Sequence, residues 1–188
     1  YSTPVVTLDF KSLYPSIMID FNLSTDTICL DEDVKKTVIE KGIDHRIINV
    51  SEGVSFMYVK NTVRKGIIPD ILQNILKKRY DTKKMMKNEK DATRKKILDA
   101  RQLALKISAN SVYGFLGAYS GKYPFWPIPA STTSVGRSLI DMSKRSVEQK
   151  FHGADIIYGD TDSIMINFQG CSGTMDGLKR SYEIGNKA

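Results

Sequence analysis

Asp160 and Asp162, in Tyr158-Gly159-Asp160-Thr161-Asp162-Ser163, are the residues whose type and spacing most directly invite chemistry. An extended backbone points side chains two apart to the same side. Two carboxylates held together repel, and one pKa rises unless a cation sits between them. The same six residues also suit an ordinary Asp-rich hairpin turn. A third carboxylate, Asp9, ends the apolar run Pro4-Val5-Val6-Thr7-Leu8. Carboxylates from two separate strands are what a Mg²⁺ site for phosphoryl chemistry needs, since Mg²⁺ takes one or two carboxylates and completes its shell with water and phosphate oxygens. Cations for the phosphate side are available at helical spacing. Arg79 precedes Lys83 by four, Lys106 precedes Asn110 by four, and Tyr113 follows three later. Such spacing puts each set on one helix face. Taken alone, these lysines suit a solvated surface as well as a ligand.

The elements that must position these groups can be read from apolar periodicity. Residues 4–10 read as a buried strand that delivers Asp9. In Lys11-Ser12-Leu13-Tyr14-Pro15-Ser16, Pro15 can open a helix with Ser12 or Ser16 near its start. Free amides at such a turn suit phosphate oxygens. Residues 26–58 are expected to alternate short β-type runs with turns, with Asp31-Glu32-Asp33 as solvated surface and Ser55-Phe56-Met57-Tyr58-Val59 as a strand. From Pro69 a helix is expected, with Ile71, Leu72, Ile75 and Leu76 as its apolar stripe. After a polar break at 88–91, a second helix carries Ile97, Leu98, Leu105 and Ile107 and is expected to end at Gly114. Two helices with a short connection predict an antiparallel hairpin. Residues 121–129, with three of the six prolines and the only Trp, read as a loop. Ser131-Thr132-Thr133-Ser134 is expected to cap a third helix, running to about Lys150 with Val135, Leu139, Ile140, Met142 and Val147 inward and Gly153 ending it. Strand, tight turn and strand follow, with Gly159 giving the turn its backbone freedom. A Gly-rich loop is expected from Phe168 to Gly177.

Composition narrows the function classes. No run approaches the roughly 18 apolar residues that cross a bilayer. Cys29 and Cys171 are isolated, and so are His45 and His152, so neither a zinc site nor a disulfide framework is indicated. The chain opens on Tyr1 and runs straight into an apolar strand, which is expected of an internal piece of a longer protein. Residues 60–106 hold 15 Lys and Arg against 5 Asp and Glu, a balance of +10, whereas the whole chain carries +7. The remainder is therefore −3. A basic segment set in a slightly acidic body fits either a solvated helical face or a polyanionic partner.

Three ordered stretches carry a resemblance. Asp9-Phe10-Lys11-Ser12-Leu13-Tyr14-Pro15-Ser16-Ile17 resembles motif A of the family B DNA polymerases, Lys106-Ile107-Ser108-Ala109-Asn110-Ser111-Val112-Tyr113-Gly114 their motif B, and Tyr158-Gly159-Asp160-Thr161-Asp162-Ser163 their motif C. The connecting text at 62–69 and 98–105 is similar to polymerase delta and its relatives in large DNA viruses.

The resemblance implies an α+β fold: a palm of antiparallel sheet with packed helices, interrupted by a fingers helical hairpin. Palm would cover 1–65 and a truncated 119–188, and fingers 66–118. It implies template-directed transfer of dNMP from dNTP to a primer 3′-hydroxyl, with two Mg²⁺ ions. Asp9 and Asp162 would hold metal, joined by the Phe10 backbone carbonyl, with Asp160 close by as a further candidate. Arg79, Lys83, Lys106 and Asn110 would grip the triphosphate, and Lys106 would protonate the leaving pyrophosphate. Ser12, Leu13 and Tyr14 would cradle phosphates, with the Tyr14 ring excluding a ribose 2′-hydroxyl. Tyr113 and Gly114 would line the nascent base pair. Partners would be primer-template DNA, dNTP and a processivity factor bound through other regions. The setting would be intracellular: the nucleus, or a host nucleus or cytoplasm for a virus. The alternative is a catalytically silent nucleic-acid-binding module. A reverse transcriptase or RNA polymerase is a third reading, against which Tyr14 favours dNTPs. Without exonuclease, thumb or the basic motif that follows motif C in this family, the isolated piece is expected to be weakly active or inactive.

Overall fold

In the computed structural model, the elements run in the order β1 (Val5–Asp9), α1 (Leu13–Asp20), β2 (Ile28–Cys29), α2 (Glu32–Glu40), β3 (His45–Ser51), β4 (Val54–Val59), α3 (Ile67–Asn88), α4 (Ala92–Gly117), α5 (Pro127–Lys150), β5 (Ala154–Asp160), β6 (Ser163–Phe168) and α6 (Met175–Gly185). The structure describes residues 3–171, 173 and 175–186. The expectations for Tyr1 and for positions 172 and 174 of the Gly-rich loop lie outside them. The two sheets are small and antiparallel, which is compatible with the expected α+β class.

The chain divides into two compact units, one of residues 1–13 and 136–188, the other of residues 14–135. In the first, β6 is the central strand between β1 and β5. Ile164, Ile166 and Phe168 of β6 are buried at every second position, as a strand with one covered face requires. They form a core with Ile140 and Val147 of α5, and Val6, Leu8, Phe10 and Ile156 pack around it. A register shift between Ile156 and Tyr158 interrupts the β5–β6 ladder. At the far edge α6 crosses β1 closely: a Cβ on Gly185 would lie 2.6 Å from a Val6 methyl.

The second unit holds the sheet β2-β4-β3. Cys29, Val38 and Met57 form its small core with Ile43 and Val59. Tyr58 is fully buried, its hydroxyl donating to the Pro127 carbonyl oxygen at 3.2 Å and pairing with Ser131 Oγ at 3.0 Å. Helices α3 and α4 pack against each other. Their connection, 89–91, is too short for any arrangement but an antiparallel hairpin.

Several local expectations are corrected. Residues 32–40 form α2 rather than a β-type run. Asp31-Glu32-Asp33 is exposed as expected, and Asp31 is in addition the N-cap of α2, accepting from the Asp33 and Val34 amides at 2.8 and 3.2 Å. α3 starts two residues before Pro69, which sits in the first turn, where a missing N–H costs nothing. α4 runs through Gly114 to Gly117, so Gly114 is helix interior and not its stop. α5 starts at Pro127. Ser131 and Thr132 are therefore buried inside the helix, with Thr132 Oγ1 donating back to the Ile128 carbonyl oxygen at 2.8 Å. Residues 175–177 are helical. Met142 is exposed rather than inward, and so are Ile71, Ile97 and Ile107. Ile71, Ile97 and Ile107 lie off the one inner face of a two-helix hairpin, and Met142 lies opposite the face of α5 that buries Ile140 and Val147. α5 ends at Lys150 as expected, and Gly153, at φ +81°, stands in the turn that follows.

Candidate active site

Asp9 closes β1 and faces Ser163, the first residue of the central strand, in register; Asp160 closes β5 and faces the same Ser163 from the other side. Asp162 lies between, in the two-residue connection Thr161-Asp162. The Phe10 amide donates to the Asp162 carbonyl oxygen at 2.7 Å, carrying the β1–β6 ladder one step beyond the strands. All three carboxylates thus gather at one end of one sheet. Adjacent strands lie about 4.8 Å apart, so Asp9 and Asp160, on the two outer strands, have backbones on the order of 10 Å apart. Asp162, tied to the residue after Asp9, is the nearer partner. It is half-buried, whereas Asp9 and Asp160 are exposed.

The turn differs from the sequence expectation in two respects. Asp160 and Asp162 do not share an extended segment, because Thr161 between them is left-handed at φ +43°. Their common orientation therefore cannot be read from strand parity. Thr161 Oγ1 donates to Asp160 Oδ1 at 3.0 Å, which turns the Asp160 carboxylate towards the hairpin itself. Gly159 supplies no unusual backbone angle; it is paired with Ile164 inside β5. Its lack of a side chain makes room for Lys144, whose Cε would lie 2.8 Å from an added Cβ. Sequence reading gave Lys144 no place near the acidic turn, and only its helical spacing from Ile140 could have suggested one.

After Asp9 the backbone turns through Ser12, left-handed at φ +55°, into α1 at Leu13. The first amides of a helix lack intrahelical acceptors and, with the helix dipole, attract anions. In the second unit, the Tyr14 and Tyr113 rings meet with centroids 4.4 Å apart and planes at 37°. Arg79, half-buried, and Lys83, exposed, follow one face of α3; Lys106 and Asn110, both exposed, follow one face of α4. The structure thus brings together Asp9, Phe10, Asp160 and Asp162 in one unit. In the other it pairs Tyr14 with Tyr113 and seats the cations on one hairpin.

No group of three or more His, Cys, Asp or Glu side chains forms a ready metal cage among the described residues. Two carboxylates, Asp9 at the end of β1 and Asp162 in the β5–β6 turn, fit Mg²⁺ nonetheless, because that ion keeps several water or phosphate ligands. They do not fit a metal that demands an all-protein shell.

The chain matches the family model for DNA polymerase family B over residues 1–188. It belongs to that family. It is 46% identical to the DNA polymerase delta catalytic subunit of Arabidopsis thaliana over 175 residues, which is 89% of this chain and 16% of that protein. Against the subunit of the same name from Drosophila melanogaster it is 42% identical over its whole length and 17% of the relative's. The Schizosaccharomyces pombe subunit is 41% identical over 99% of this chain and 17% of its own length. The chain therefore spans about a sixth of these relatives. No helix among the described residues is long and apolar enough to cross a membrane.

Proposed function

We propose that this chain carries the carboxylates and nucleotide-binding groups of a DNA-directed DNA polymerase acting in DNA replication. The observation that carries the reading is the meeting of Asp9, at the end of β1, with Asp162, in the β5–β6 turn, locked by the Phe10–Asp162 backbone bond, in a chain of this family. Residues 66–118 are the fingers hairpin, and the flanking segments are palm.

In the proposed reaction, the primer 3′-hydroxyl oxygen bonds to the α-phosphorus of a dNTP as the bond from that phosphorus to the bridging oxygen breaks. Asp9, Asp162 and the Phe10 carbonyl would hold two Mg²⁺ ions, which acidify the hydroxyl and screen the phosphate charge when bound. Arg79, Lys83 and Asn110 hold the triphosphate in line as the hairpin closes. Lys106 gives a proton to the departing pyrophosphate. Ser12, Leu13 and Tyr14 cradle phosphates. The Tyr14 ring, backed by Tyr113, leaves no room for a 2′-hydroxyl, and Tyr113 with Gly114 lines the new base pair. Primer-template DNA is the macromolecular partner, with a processivity factor engaged elsewhere in the whole protein. The relatives compared are eukaryotic, which favours the nucleus over a viral setting.

The deciding experiment is primer extension by the full-length protein with Mg²⁺, beside Asp162→Asn. Template-dependent extension lost in the variant is expected. A folded full-length protein that binds primer-template but extends nothing would instead make the domain a silent nucleic-acid-binding module.

A further inference from the structure

The base of α3 is held by a short loop that the motifs above do not include. Asn22, left-handed at φ +55° and buried, accepts from the Gly66 amide at 2.9 Å through Oδ1. Its Nδ2 donates to the carbonyl oxygens of Val59 and Arg64, each at 2.8 Å. The next two amides are met in turn: Ile67 donates to Asp26 Oδ1 and Ile68 to Ser24 Oγ, both at 3.2 Å. Ser24 Oγ also donates to Asp26 Oδ1, and Arg64 lies 3.3 Å from the other carboxylate oxygen. Gly66, the N-cap residue, makes no side-chain cap of its own. Three amides that the opening of a helix normally leaves to water are thus satisfied by three side chains from a segment some 40 residues earlier. A Cβ on Gly66 would lie 2.7 Å from Ser24 Cβ, so the fit leaves no slack.

We propose that Asn22, Ser24 and Asp26 are positioning residues, a bracket that sets the angle of α3 and through it the placement of Arg79 and Lys83. This rests on the nucleotide-binding role given to those cations above. Geometry makes the bracket influential. Arg79 lies twelve residues from Ile67, about 18 Å along the helix axis at 1.5 Å per residue. A tilt of roughly 10° at the base therefore moves that guanidinium by about 3 Å, and misplacement of about 1 Å can already cost a hundredfold in rate. Asn22 uses both its donors and its acceptor in the bracket. It also joins the end of α1 to the end of β4, so the helix is referred to the sheet and not to a flexible linker.

The test uses the full-length protein and single-nucleotide incorporation, with dNTP KM, kcat, primer-template Kd and Tm measured together. Asp26→Ala is expected to raise dNTP KM tenfold or more while Kd for primer-template stays within twofold. Asp26→Asn keeps an oxygen for the Ile67 amide and the Ser24 hydroxyl but loses the attraction of Arg64. It should recover most of the loss, which a role confined to charge would not allow. In an Arg79→Ala/Lys83→Ala background, Asp26→Ala should add less than twofold, because the lever no longer carries its load. If Asp26→Ala proves too unstable to purify, Ser24→Ala, which removes one acceptor for α3, takes its place in the same cycle. Multiplying effects of the two sites, or an unchanged KM in the bracket variant beside a raised KM in Arg79→Ala, overturns the bracket alone. An unchanged KM in Arg79→Ala itself overturns the triphosphate role of that residue and the bracket with it.

Discussion

The amide of Phe10 and the carbonyl oxygen of Asp162 are joined at 2.7 Å, past the last paired residues of their strands. This bond makes Asp9 and Asp162 neighbours by backbone, whatever their side chains do. Asp160 has no such link to β1 and spends one carboxylate oxygen on Thr161. Asp9→Asn and Asp162→Asn are therefore each expected to lower single-turnover incorporation by on the order of 10³-fold, and Asp160→Asn by about tenfold. Equal losses at Asp160 and Asp162 would refute this ranking.

Tyr14 is expected to act as the sugar gate only while its ring is held. Tyr113 holds it, and such a ring pair contributes about 0.5–1.5 kcal/mol. Tyr14→Ala or Tyr14→Val should raise ribonucleotide relative to deoxynucleotide incorporation by about tenfold or more. Tyr113→Ala, which takes away the ring packed against Tyr14 but leaves Tyr14 itself, should give a smaller rise. The dNTP/rNTP ratio of kcat/KM measures both, and an unchanged ratio in the Tyr14 variants removes the residue from that role.

How far the sequence reached depends on whether the determinant is local. The strand bearing Asp9, the hairpin at 160–163 and the two long helices follow from period and punctuation within a few residues, and they stand in the structure. α2 escaped because its helical signal rests on one cap, Asp31, inside a stretch whose flanks are strands. The early start of α5 was hidden because Ser131 and Thr132 look like caps but bond backwards or to Tyr58 inside the helix. The acidic turn is legible, but the backbone freedom expected of Gly159 is needed at Thr161 instead. A glycine can serve sterics as well as torsion, and only the approach of Lys144 tells which. The bracket at Asn22, Ser24 and Asp26 was invisible for the same reason, since its partners lie some 40 residues away.

Three glycines should respond differently to the same change. Gly66→Ala drives a Cβ into the buried Ser24 side chain and should cost about 1–3 kcal/mol. Gly159→Ala crowds the flexible end of Lys144, which can swing aside, and makes an ordinary contact with Ile164 at 3.5 Å, so its cost should stay below about 1 kcal/mol. Gly114→Ala meets nothing within 4 Å and sits inside α4, so it should stabilise by up to about 1 kcal/mol. If Gly114 lines the nascent base pair, incorporation should nonetheless fall in that variant. Denaturant melts paired with primer extension separate these outcomes, and a Gly114→Ala enzyme of full activity would argue that no substrate approaches there.

The buried Tyr58 predicts an alkaline transition. Burial pushes its hydroxyl up from 10.0 to about 12, against the opposing effect of the bond to Ser131. A group whose folded-state pKa is raised holds its proton more tightly when folded. Its contribution is therefore complete below pH 10, declines between pH 10 and about 12, and is absent above. A shift of this size corresponds to roughly 2–3 kcal/mol. Stability measured by urea melts from pH 8 to 12 should fall across that window in the wild type, beyond the loss from other tyrosines and lysines. Tyr58→Phe should start lower at pH 8, because the Ser131 hydroxyl and the Pro127 carbonyl lose a partner, and should then decline less steeply. The gap between the two curves should narrow towards pH 12. Parallel curves would mean that the Tyr58 hydroxyl ionises as readily folded as unfolded, and that the core around β4 and the start of α5 admits water.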